Sequence, residues 1–121
     1  MKADQALKKP LARILVVDDD AAMCQLLTDL LCDDGYSVEV ANDGDAAIEK
    51  FQTSSFALTI TDLMMPRMKG TKPVRRLREI DNGALVLLVT AFGTIESAVE
   101  SMRAGAFHYV TKPFHHDEIL I

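Results

Sequence analysis

The chain has 121 residues, below the roughly 150 of an average domain, so one domain is expected. Its 49% hydrophobic residues exclude an intrinsically disordered protein, and thirteen basic against eighteen acidic residues, a net charge of −5, oppose nonspecific attraction to nucleic acid or anionic lipid. No run of about eighteen apolar residues and no signal-peptide core occur, so neither a membrane span nor export is expected, and the location predicted is cytoplasmic.

Residues 1–12, MKADQALKKPLA, lack a sustained period and read as a flexible tail, which places the domain over 13–121. From there, short β-rich apolar runs alternate with segments at helical spacing. The runs are Ile14 to Val17, Ser37 to Ala41, Leu58 to Thr61, Leu85 to Val89 and Phe107 to Val110, five strands in all. After the first, Met23, Leu26, Leu27, Leu30 and Leu31 form one face of a helix that Gly35 can end. The second helix, about Asp45 to Thr53, buries Ala47, Ile48 and Phe51. A third carries Val74, Leu77 and Ile80, with Thr71 as cap and Pro73 in its first turn. The fourth carries Ile95, Ala98, Val99 and Met102 between Thr94 and Gly105, and a fifth begins near His116 and is cut short at Ile121.

Strict strand–helix alternation implies right-handed crossovers and a mostly parallel α/β sheet covered on both faces; the LVLLV run suits a strand buried on both sides. Cys24 and Cys32 fall in one helix roughly 12 Å apart, too far for a disulfide, and read as buried thiols.

In such a sheet the carboxyl ends share one edge, where ligands bind. Asp18, Asp19 and Asp20 follow the first strand, Asp62 the third, Thr90 the fourth, and Thr111 with Lys112 the fifth. Clustered carboxylates repel and invite a hard divalent cation; Mg²⁺ takes one or two carboxylates, waters and phosphate oxygens. Lys112 and Thr90 can hold phosphoryl oxygens, and with no Ser, Cys or His at a strand end, Asp62 is the candidate nucleophile for an acyl phosphate. Each residue alone has a plainer role: an Asp run caps a helix, Asp62 starts a turn, Thr90 caps the next helix, Lys112 is a surface lysine. Those roles do not explain why acids, hydroxyl and amine share one edge. His108, His115 and His116 lack accompanying ligands at a metal spacing, and Arg75, Arg76 and Arg78 read as a solvated helix face.

The segments ILVVDDD (14–20), TDLMMPRMKG (61–70), LLVTAFG (87–93) and GAFHYVTKPF (105–114) resemble the receiver domain of two-component response regulators. The resemblance implies a flavodoxin-like fold, strand order 2-1-3-4-5, with Asp62 as phosphoacceptor and Asp18 and Asp19 as the acidic pair. It also implies that the Met64 carbonyl completes the Mg²⁺ site, that Thr90 and Tyr109 are switch residues, that Lys112 pairs with the phosphoryl group, and that the Lys112–Pro113 bond is cis. The implied function is a switch that takes a phosphoryl group from a sensor histidine kinase and changes its fourth-helix, fifth-strand and fifth-helix surface to control an output domain or partner. It assists its own phosphorylation and dephosphorylation and is not an enzyme; it contacts neither nucleic acid nor membrane directly, and leaves room for a homodimer. The TAFGTIESAV-to-KPF stretch leans toward transcriptional activators of the nitrogen-regulation type. Ala57, Thr59 and Pro73 depart from the family pattern.

Three alternatives differ in class. A haloacid-dehalogenase-like phosphohydrolase would use Asp18 as nucleophile and Asp20 as acid, but Ala22 breaks its DxDx[TV] pattern. A receiver used only for binding would have lost a site group, and a flavin phosphate would be repelled by the acidic loop.

Overall fold

The computed structural model describes residues 12–62, 72–81, 83–90, 94–112 and 119. Strands β1 (Arg13–Val17), β2 (Ser37–Ala41), β3 (Leu58–Asp62), β4 (Val86–Thr90) and β5 (His108–Thr111) alternate with helices α1 (Ala21–Asp33), α2 (Gly44–Thr53), α3 (Lys72–Ile80) and α4 (Ile95–Ala104). The strands form one parallel sheet in the order β2-β1-β3-β4-β5, the expected flavodoxin-like arrangement.

The sheet divides the core because successive strand residues point to opposite faces. Leu15, Val17, Val86 and Leu88 pack with Ala47 and Phe51 of α2 and Leu77 of α3. Ile14, Val16, Ile60, Leu87, Val89 and Val110 pack on the other face with Cys24, Leu27 and Leu31 of α1. Every residue of β4 is buried, as a central strand covered on both sides requires. Ile119 is helical and buried in the second cluster; the rest of the expected fifth helix lies outside the described residues, as do Thr71, Met64 and Pro113.

Local signals set the boundaries. Asp20 caps α1, its carboxylate accepting from the N–H of Ala22 at 2.9 Å and of Met23 at 3.4 Å. Gly35, at φ 98°, ends that helix with its N–H on the Cys32 carbonyl and the Tyr36 N–H on that of Leu31. Gly105, at φ 111°, ends α4, and a Cβ there would meet Arg78 Nε at 3.0 Å.

Several expectations need correction. β4 and β5 start one residue later than expected, at Val86 and His108, and Leu85 and Phe107 are exposed beneath the sheet. Leu26, Val99 and Met102 are exposed too. Among the described side chains of α4, Ser101 is buried and Ala98 and Ala104 are half-buried, while Val99 and Met102 face solvent. Cys32 is exposed, because eight helical steps rotate it about 80° from Cys24, the member of the Cys24, Leu27 and Leu31 stripe nearest to it around the helix. Arg78 is half-buried instead of freely solvated: its guanidinium donates to the Ala84 carbonyl at 3.0 Å and lies over Gly105.

Candidate functional site

Parallel pairing carries the ends of β1, β3, β4 and β5 to one edge. Asp62 closes β3 beside Val89, and Thr90 closes β4 beside Thr111. Asp18 leaves β1 with its N–H on the Ala41 carbonyl of β2, and the Lys112 N–H binds the Thr90 carbonyl at 2.8 Å. These main-chain tethers aim the side chains inward. Lys112 Nζ stands 2.9 Å from Asp62 Oδ2 and 3.1 Å from Asp18 Oδ2, joining residues 94 positions apart. Oxygens of Asp18, Asp19 and Asp62 lie within 4.8 Å of one another. Asp18 and Thr90 are fully buried, Asp62 is nearly so, and Asp19 is exposed.

The three acids of the first loop divide their roles. Asp18 and Asp19 join Asp62, whereas Asp20 turns away to cap α1 and donates its N–H to Asp18 Oδ1 at 2.9 Å. The capping role is therefore correct for Asp20 alone, and its engaged carboxylate removes the acid that the phosphohydrolase alternative needs. Tyr109 is half-buried against the Leu88 side of the core. Met64 and the Lys112–Pro113 bond lie outside the described residues. Two neighbours went unrecognised in the sequence. The Thr61 hydroxyl donates to the Asp62 carbonyl at 3.3 Å, and the Cys24 thiol donates to the Asp18 carbonyl at 3.2 Å. Neither pairing has a local sequence signature, although Cys24 sits on the stripe of α1 that faces β1.

Among the described residues this edge is short of positive charge. At an effective dielectric of about 20, carboxylates 4.8 Å apart repel by about 3.5 kcal/mol, while Lys112 at 3.1 Å attracts Asp18 by about 5 kcal/mol. Three carboxylates and one ammonium still carry a formal −2, which one divalent cation cancels. Burial pushes Asp18 above the ordinary carboxylate range, and the Asp20 N–H and Lys112 offset this only in part. Burial lowers Lys112, but its bonds to Asp62 and Asp18 outweigh that and hold it above the usual lysine value. Burial and then the Asp18 charge push the Cys24 thiol up, keeping it a protonated donor. Hard oxygen donors in this number, with a surplus charge of −2, fit Mg²⁺ in its usual role beside a phosphoryl group.

The response regulator receiver domain family matches residues 14–121. The chain belongs to that family. This receiver domain is 37% identical over 106 residues to the transcriptional regulatory protein ZraR of Escherichia coli, covering 88% of this chain and 24% of that protein. The chain thus spans about a quarter of that relative's length. A CheY-like receiver domain protein from Methanospirillum hungatei superposes with a TM-score of 0.86 at 33% identity, over 91% of this chain and 88% of that one. A response regulator from Burkholderia pseudomallei, solved with a phosphorylated aspartic acid and a calcium ion, gives 0.84 at 28% identity, over 89% of this chain and 64% of that one. Receiver domains are phosphorylation-controlled signalling modules, not enzymes in the usual sense. Among the described residues no helix of this one is long and apolar enough to cross a membrane.

Proposed function

We propose that Asp62 is the phosphoacceptor of this receiver domain, with Lys112 and Thr90 as its assisting groups. The observation that carries this reading is the single ammonium of Lys112 held between Asp62 and Asp18 at one sheet edge. A carboxylate oxygen of Asp62 bonds to the phosphorus of a phosphohistidine on a sensor histidine kinase as the phosphorus–nitrogen bond breaks, and the imidazole leaves with its electron pair and a proton from solvent. Asp18, Asp19, Asp62 and the Met64 carbonyl would hold Mg²⁺, which when bound offsets charge on the phosphoryl oxygens. Lys112, already on Asp62, follows the charge from carboxylate to phosphoryl oxygen. The phosphorylated relative from Burkholderia pseudomallei supports the assignment.

The added group brings roughly −1.5 to −2 charges into a closed site, by analogy with other phosphorylated side chains. The Thr90 hydroxyl turns toward it, Tyr109 moves inward, and the surface of α4, β5 and the fifth helix repacks. Val99, Met102 and Phe107 give that surface exposed apolar groups, on which an output domain, a downstream protein or a second copy would rest. The receiver occupies 13–121, works in the cytoplasm, and assists its own phosphorylation and hydrolysis without turning over a separate substrate. The likeness to the transcriptional regulatory protein ZraR supports a transcriptional output. Adding beryllofluoride with Mg²⁺ tests the switch: amide shifts should centre on Asp62, Thr90 and Lys112 and extend to Tyr109. Silence at those residues would refute it.

A further inference from the structure

We propose that Cys24 is a positioning residue of the metal site, its buried thiol fixing the Asp18–Asp19 peptide and so the place where the two carboxylates meet Asp62. This rests on the reading of those acids as metal ligands. Each polar group of Asp18 is tethered. Its N–H binds the Ala41 carbonyl at 3.1 Å, Oδ1 takes the Asp20 N–H, Oδ2 takes Lys112, and its carbonyl takes the Cys24 thiol. Among the described residues no main-chain N–H donates to that carbonyl. Cys24 and Asp18 are 5% and 3% exposed, so water is a poor substitute.

The thiol is itself held rigidly. Cys24 shares the inward stripe of α1 with Leu27 and Leu31, within the cluster of Val16, Ile60 and Val89. It therefore refers the acidic loop to the core. Without it, the Asp18–Asp19 peptide loses its only side-chain anchor among the described residues, and the exposed Asp19 swings with that plane. The other tethers hold Asp18 but leave Asp19 undirected.

The test is the Mg²⁺ affinity of the whole 121-residue chain, read by amide shifts, for wild type, Cys24→Val, Cys24→Ser and Asp19→Asn. Cys24→Val keeps the site apolar, adds about one methyl group and loses the donor; it should weaken Mg²⁺ by about fivefold, the worth of one weak hydrogen bond. Cys24→Ser should stay within about twofold of wild type, since a hydroxyl can still donate. Asp19→Asn marks the loss of a ligand. Val binding like wild type, or Ser falling as far as Val, overturns the inference. A wild type indifferent to Mg²⁺ refutes the ligand reading itself, and this inference with it. A second readout leaves position 24 intact: with the exposed Cys32 changed to Ser, the S–H infrared stretch of Cys24 should shift on adding Mg²⁺. A stretch that ignores the ion also overturns the inference.

Discussion

Replacing Asp18 with Asn should stabilise the domain when no metal is present. The carboxylate is 3% exposed, and its Coulomb terms nearly cancel: about 5 kcal/mol of attraction to Lys112 against about 3.5 kcal/mol of repulsion from Asp62 and a smaller, water-screened repulsion from Asp19. What remains is the cost of burying a charge, several kcal/mol for an ion in a protein interior. The amide oxygen of Asn can still accept the Asp20 N–H, and Lys112 keeps its 2.9 Å contact with Asp62. Allowing for the lost ion pair, a net gain of about 1–2 kcal/mol is expected, which at this size raises the melting point by about 4–8 °C. The sign follows from the raised Asp18 pKa: ionised Asp18 weighs on the fold, so the advantage is present at neutral pH and vanishes as pH falls below the ordinary carboxylate value. Calorimetry in EDTA at pH 7 and pH 3.5 measures both. Adding Mg²⁺ should then raise wild type more than the variant. An Asn variant melting below wild type in EDTA would show that Lys112 dominates the site and that the surplus-charge reasoning is wrong.

Lys112→Met should cost the metal-free fold about 3 kcal/mol by leaving buried acids unpaired, yet tighten Mg²⁺ because the site's formal charge becomes −3; weaker Mg²⁺ binding in titration calorimetry would contradict this. Because the folded Lys112 pKa lies above its unfolded value, its stabilisation is complete below about pH 10 and is lost above it, so the two proteins should converge in alkaline melts. Thr59→Val should stabilise by about 1 kcal/mol in urea titrations, since the Thr59 hydroxyl, buried between Leu15 and Val86, has no hydrogen-bond partner among the described residues; a loss of stability would show that it has one. Gly105→Ala should destabilise by more than about 1 kcal/mol, from its φ of 111° and the Arg78 side chain 3.0 Å from the new methyl; a neutral result would mean the turn relaxes freely.

The strand order and the convergence of Asp18, Asp19, Asp62, Thr90 and Lys112 could be read before any coordinates, because both follow from alternation: parallel strands bring every carboxyl end to one edge. Strand starts were less legible. Leu85 and Phe107 are as apolar as the residues after them and hydrogen-bond at the sheet's lower edge, yet their side chains fall beyond its cover. Helical periodicity likewise shows an apolar face wider than the buried one, so Leu26, Val99 and Met102 joined stripes that in fact centre on Leu27 and Ser101. Three consecutive aspartates could not be told apart by composition; the backbone turn into α1 assigns Asp20 to the cap and frees the other two. Contacts such as Cys24 to Asp18 and Arg78 to Ala84 depend on where a side chain meets a carbonyl, which no spacing encodes.

The most direct measurement is chemical trapping of the acyl phosphate: incubate the chain with a small phosphodonor and Mg²⁺, reduce with tritiated borohydride, and map the label. Tritiated homoserine at position 62, absent without Mg²⁺ and absent in Asp62→Asn, is the result expected. Label at Asp18 or Asp19, or no Mg²⁺-dependent label at all, would contradict it.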